Sequence, residues 1–161
     1  IGDIEFANLK IPLYVIATDI KTGEEVILKE GRVARAVHAS VAVPGVFMPV
    51  EIAGRYLSDG MVVNNVPIDI VKSMGADFII AIDVVPKVSL TEVPENFVKV
   101  LERAIDIGLK YQAETKRHIA DFLIEPVTKN ISPFALDRAR DLIKMGEEAA
   151  NSVIQEIKKS L

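Results

Sequence analysis

The residue best placed for acid–base chemistry in this sequence is the carboxylate Asp59. It follows a short strand predicted for residues 55–58 and stands in an Asp-Gly turn. Asn65 is a candidate N-cap, and Pro67 fits the first turn of a helix predicted for 66–74. A side chain between a strand and a helix is in a position where α/β proteins often carry function. A plain turn is the alternative, because Asp-Gly is a common turn dipeptide.

Other residue types with hydrolytic or metal-binding chemistry are poorly placed. A serine nucleophile usually depends on a histidine base, but His38 and His118 both lie in predicted helices, and we interpret them as surface or packed residues. None of the seven serines lies in a GxSxG motif. The chain has no HExxH sequence and no glycine-rich phosphate loop, so no metal and no cofactor are expected.

The composition is that of a globular domain. Of the 161 residues, 50% are hydrophobic and 26% are charged, and the net charge of −4 makes nucleic acid an unexpected partner. The absence of cysteine fits a reducing compartment. No signal peptide or membrane-spanning run is visible, so a cytoplasmic location is expected. The chain does not begin with methionine, and we expect it to be part of a longer protein.

The hydrophobic pattern predicts an α/β fold made of one domain, residues 1–161. The alternation of strands and helices indicates a sheet layered between helices, and an early hairpin makes that sheet mixed. Strands are predicted for 11–18, 25–29, 55–58, 77–85 and 121–125, an extended segment for 46–52, and helices for 32–43, 66–74, 94–119 and 136–160.

The same pattern predicts which faces are buried. The apolar run 77–85 is typical of a central strand covered on both faces. Each long helix carries an apolar stripe expected to face the core. The two stripes are Phe97, Leu101, Ala104, Ile105, Gly108 and Leu109, and Ala139, Leu142, Ile143, Gly146, Ala149, Val153 and Ile157.

Several segments, in this order, resemble the patatin-like phospholipase family and its bacterial and archaeal members. They are Thr18-Asp19, residues 39–50 (ASVAVPGVFMPV), residues 59–67 (DGMVVNNVP) and the tail 132–150. The resemblance covers nearly all of the chain and implies a patatin-like α/β fold.

The resemblance also implies a serine acyl hydrolase with a Ser–Asp dyad and no catalytic histidine. Asp59 matches the dyad aspartate, while Gly60, Asn65 and Pro67 match residues that support its turn. Met61 departs from the family's Asp-Gly-Gly or Asp-Gly-Ala pattern. The GxSxG serine and the oxyanion loop of the family lie before the part seen here. This chain is therefore expected to be the C-terminal portion of the domain and to be inactive alone.

The family resemblance further implies a lipid or other ester as substrate, transient contact with a membrane surface, and the missing N-terminal half as a partner. Four residues are candidates for lining the acyl site, although simple packing explains their composition equally well: Val43, Pro44, Val46 and Phe47. Two alternatives to the hydrolase stay open. One is that the parent is a non-catalytic lipid-binding or regulatory protein with the same fold, and the other is that this chain is an autonomous α/β binding domain unrelated to hydrolases.

Overall fold

The computed structural model describes residues 2–85, 93–128, 131 and 135–161. These residues form strands and helices of an α/β protein, which confirms the predicted fold class. The chain divides into two compact units, Ile1–Pro67 and Ile68–Leu161, called unit 1 and unit 2 below. Among the described helices, none combines the length and the apolar character needed to cross a bilayer.

Unit 1 is built on an antiparallel sheet whose four strands follow the order β2-β1-β4-β3. One helix, α1, packs against it. The elements are β1 (Val15–Asp19), β2 (Glu25–Leu28), α1 (Val33–Ser40), β3 (Val50–Ile52) and β4 (Arg55–Asp59).

The core of unit 1 joins the sheet to α1 through small residues. Ala17 of β1, Ala39 of α1 and Leu57 of β4 are fully buried and form one cluster. The two alanines have small side chains, and Leu57 is the large side chain of this buried cluster. Burial of such a leucine contributes about 1.5–3 kcal/mol.

The first predicted strand was placed too early. It was expected from Ile11, but β1 begins at Val15, and Ile11 is 80% exposed. Similarly, the extended segment predicted for 46–52 contributes only Val50–Ile52 to the sheet. In both places an apolar run continues beyond the residues that have a partner strand.

In its described residues, unit 2 contains a parallel pair of three-residue strands and three helices. Its elements are α2 (Ile68–Ser73), β5 (Ile80–Ile82), α3 (Phe97–Lys116), β6 (Phe122–Ile124) and α4 (Ala139–Ser160), with 3₁₀ turns at Arg117–Ile119 and Leu136–Arg138. The strands described thus form two sheets, one antiparallel and one parallel, where one mixed sheet was predicted. The loop predicted for 86–92 lies outside the described residues.

The burial predicted for unit 2 is wrong for β5 and for most of the α3 stripe, and it is partly observed for α4. Ile80 and Ile82 are exposed, so β5 is not covered on both faces. In the predicted stripe of α3, Leu109 is buried but Phe97 is 80% exposed. In that of α4, Ile157 is buried whereas Ile143 is exposed.

The dimensions of unit 2 explain this exposure. Helix α3 has 20 residues and is therefore about 30 Å long. Strands β5 and β6 have three residues each, or about 10 Å. Two such strands are about 20 Å shorter than α3, so they could not cover the whole of its apolar stripe.

Candidate active site

Asp59 is the last residue of β4, and both of its backbone polar groups are held by other elements. Its N–H donates to the carbonyl oxygen of Ala42 at 3.0 Å. Its carbonyl oxygen accepts a hydrogen bond from the Thr18 hydroxyl at 2.8 Å, and Thr18 is buried. The position of the Asp59 backbone is therefore fixed from two sides.

The side chain of Asp59 organises the turn that follows it. Its Oδ1 atom accepts the backbone N–H of Met61 at 2.9 Å and caps a 3₁₀ helix, Gly60–Val62. Among the described residues, no hydrogen-bond donor is assigned to Oδ2. One carboxylate oxygen therefore holds the turn, and the other is available to an incoming group.

Gly60 is required by its contact with β1. A Cβ atom at position 60 would lie 2.6 Å from the carbonyl oxygen of Ile16. Real Cβ atoms essentially never come so close to a backbone oxygen. Only glycine fits at this position beside β1 without a shift of the backbone.

The residues predicted to support the turn lie farther along the chain than Gly60. Asn65 is partly buried, and Pro67 immediately precedes α2. The helix predicted for 66–74 is observed as Ile68–Ser73. The first helical turn after Asp59 is the 3₁₀ helix, and its cap is Asp59 itself. Asn65 and Pro67 thus lie between the two helical segments.

Asn64 is a site residue that the sequence reasoning missed. It is 3% exposed, and its Nδ2 atom donates to Oε2 of Glu25 on β2 at 2.9 Å. Its backbone N–H donates to the Gly60 carbonyl at 2.8 Å. The two partners are 39 residues apart, so no local signal in the sequence indicates the contact.

Burial changes the acidity of Asp59. Removal of water from around the carboxyl group raises the pKa of Asp59 above its ordinary value, and the hydrogen bond from Met61 offsets part of this rise. A carboxylate with a raised pKa holds a proton more firmly, as a general base at neutral pH must.

The serine and histidine side chains nearest in sequence do not combine with Asp59 in this chain. Ser58 is buried and donates its hydroxyl to the Ala42 carbonyl at 2.6 Å. His38 lies on α1 and His118 in the 3₁₀ turn after α3, and both are exposed. Among the described residues, none of these side chains forms a hydrogen bond with the Asp59 carboxylate, and the Ser40 hydroxyl donates to the Ile16 carbonyl instead.

The predicted acyl-site residues form a tight turn after α1. The Val46 N–H donates to the Val43 carbonyl at 3.0 Å, with Pro44 and a positive-φ glycine between them. This is the sequence typical of a type II turn. Val46 is 50% exposed and Phe47 54% exposed, so their apolar side chains face solvent. The segment begins one residue after Ala42, whose carbonyl binds the Asp59 backbone.

Comparisons with known proteins match about half of this chain or less. The family model "Patatin-like phospholipase" matches residues 5–72. An uncharacterized NTE family protein of Mycobacterium tuberculosis is 35% identical over 82 residues, which are 51% of this chain and 23% of that protein. Human patatin-like phospholipase domain-containing protein 6 is 38% identical over 84 residues, 51% of this chain and 6% of that protein. Patatin-like phospholipase domain-containing protein 7 of Rattus norvegicus is 37% identical, also over 84 residues. The chain thus spans less than a quarter of the length of each of these curated relatives.

Proposed function

We propose that this chain is the C-terminal part of a serine acyl hydrolase that acts on lipid or other ester substrates, because the patatin-like phospholipase family model matches residues 5–72. Asp59 is the general base of a Ser–Asp dyad. The GxSxG serine and the oxyanion hole lie upstream in the same domain. The chain alone has no esterase activity.

The observation that carries this proposal is the way Asp59 is held. Its backbone is fixed by Ala42 and Thr18, and its Oδ1 atom is fixed by the Met61 N–H. These bonds leave the carboxylate little freedom to rotate. A base fixed before the reaction begins lowers the entropic cost of proton transfer.

In the proposed reaction, Asp59 is the proton acceptor in both the acylation and the deacylation steps. The upstream serine oxygen attacks the ester carbonyl carbon while its proton passes to the Asp59 carboxylate. The tetrahedral intermediate collapses to an acyl-serine, and the proton leaves Asp59 with the alcohol. Water then loses a proton to Asp59 and attacks the acyl group, and the proton returns to the serine oxygen. Each half-reaction leaves Asp59 ionised.

The turn 43–47 is the proposed contact for the acyl chain. Val46 and Phe47 present exposed apolar side chains, and the turn begins beside the carbonyl that binds the Asp59 N–H. An acyl chain lying against these residues would remove their apolar surface from water, at about 25 cal/mol per Å². The same exposed side chains would support transient contact with a membrane surface.

A fluorophosphonate probe tests the proposal, because it labels only an activated serine. We expect no label on the 161-residue chain. A protein that also contains the upstream sequence should take up one label, at the GxSxG serine. Stoichiometric labelling of any serine within this chain would contradict the placement of the dyad. A longer protein that binds lipid vesicles but takes no label would instead support the non-catalytic alternative.

A further inference from the structure

The turn that carries Asp59 is hydrogen-bonded to β2, a strand that does not pair with β4. In the sheet order β2-β1-β4-β3, β1 separates Asp59 on β4 from Glu25 on β2. Thr18 of β1 pairs with Ser58 on one side and with Glu25 on the other. A bond from the segment after Asp59 to Glu25 therefore passes over β1.

Asn64 makes that bond. The 3₁₀ helix after Asp59 lies against β1, where Gly60 contacts the Ile16 carbonyl. The backbone N–H of Asn64 donates to the Gly60 carbonyl at 2.8 Å, and its side-chain amide donates to the Glu25 carboxylate at 2.9 Å. The five residues from Gly60 to Asn64 are thus closed into a loop and fastened at their far end.

We propose that Asn64 and Glu25 form a positioning pair that fixes the turn carrying Asp59, an inference that rests on the proposed role of Asp59. Neither residue contacts substrate. Their bond holds the loop down on β1, and the loop in turn holds the Met61 N–H against the Asp59 carboxylate. The bond is strong because the acceptor is charged and Asn64 is almost fully buried.

Swapping the hydrogen-bond donor and acceptor between positions 64 and 25 tests the pair in the 161-residue chain. Asn64→Asp alone places two carboxylates in contact and should speed hydrogen exchange of the Met61 and Val63 amides at least about tenfold. Glu25→Gln alone keeps an acceptor oxygen and should change the hydrogen-exchange rates of these amides little. Combining the two changes restores the bond with its polarity reversed, since the Gln amide then donates to the Asp carboxylate. Exchange should return to within about threefold of the wild-type rate.

The control is Asn151→Asp, which adds the same charge at an exposed position of α4. It should leave exchange of both amides unchanged. Unchanged exchange in Asn64→Asp, or failure of the double variant to recover, would overturn the proposal. If Asn64→Asp unfolds the chain, the double variant decides: wild-type protection supports the pair, and fast exchange or unfolding contradicts it.

Activity separates this inference from the proposed function. In a protein that includes the upstream sequence, Asn64→Asp should lower kcat for a short-chain ester about tenfold or more with little change in KM, because the base is misplaced. The double variant should recover. If Asp59→Asn leaves activity intact, the proposed function fails. The hydrogen-exchange rates of the Met61 and Val63 amides still show whether Asn64 and Glu25 hold the turn. If exchange is unaffected, the pair fails whatever the activity is.

Discussion

Replacement of Gly60 by alanine tests whether the turn beside Asp59 has room to move. The added Cβ atom would lie 2.6 Å from the Ile16 carbonyl oxygen and 3.0 Å from its carbon. Carbon and oxygen atoms in proteins rarely approach closer than about 3.3 Å. The turn or β1 must therefore shift by about 0.7 Å, the difference between these distances, because both Ile16 atoms belong to the backbone and cannot rotate away.

This shift affects both stability and the proposed activity. Overpacking of this kind costs about 1–3 kcal/mol of unfolding free energy. The shift also moves the Asp59 carboxylate, which is bonded to the N–H of Met61 in the same turn. Misplacement by about 1 Å costs catalysis about a hundredfold, so a smaller displacement should lower kcat in the complete protein by about tenfold or more.

Urea unfolding followed by the amide signals of unit 1 measures the stability loss. The matched control is Gly54→Asn, because Gly54 has a φ of +76° and a Cβ atom added there would have no neighbouring atom within 4 Å. Asparagine tolerates this backbone conformation, so the control should lose less than about 1 kcal/mol. A Gly60→Ala chain as stable as the wild type would show that the contact with Ile16 is not restrictive.

Substitutions of Leu57, of Asp59 and of the two histidines test separate parts of the account. Leu57→Ala should lower the unfolding free energy by about 2–5 kcal/mol, because Leu57 is fully enclosed, and an unchanged urea midpoint would contradict this. Asp59→Asn should be at least as stable as the wild type at pH 7, since burial raises the pKa of Asp59 and its charged form is disfavoured in the fold. That advantage should disappear as the pH falls through the raised pKa toward 3.8, and a variant less stable at pH 7 in thermal melts would refute it. His38→Ala combined with His118→Ala should keep ester hydrolysis by the complete protein within about tenfold, whereas a thousandfold loss in a folded variant would indicate a triad.

Local elements of unit 1 were predictable from the sequence. The strand predicted for 25–29 is Glu25–Leu28, and the helix predicted for 32–43 is Val33–Ser40. Their ends are set by nearby turns, such as the positive-φ Gly23 before β2. Turn chemistry of this kind acts over a few residues, so it can be read without knowledge of the fold.

Burial in unit 2 was not predictable in the same way. The period of α3 correctly identifies an apolar face, but a period cannot say whether another element covers that face. Leu109 and Phe97 belong to the same predicted stripe, yet only Leu109 is buried. The difference depends on contacts with residues distant in sequence.

In the candidate site, too, some features could be predicted from the sequence and others could not. Asp19, Asp59 and Asp83 each stand at or just after the end of a strand and accept a backbone N–H from two residues ahead. A pattern of strand and aspartate therefore cannot single out Asp59, and only the order of several family-like segments did so. The contact of Asn64 with Glu25 joins parts of the chain 39 residues apart, so it became visible only in the structure.

The most direct test of the account is the kcat of Asp59→Asn for a short-chain ester, measured in a protein that includes the upstream sequence. Asparagine keeps an oxygen for the Met61 N–H but cannot accept the serine proton, so kcat should fall by about a thousandfold or more. Asp83→Asn is the matched control, because its Oδ1 also accepts a backbone N–H, from Val85 at 3.0 Å. That control should retain wild-type turnover. Near-normal turnover in a folded Asp59→Asn protein would contradict the assignment of Asp59 as the base.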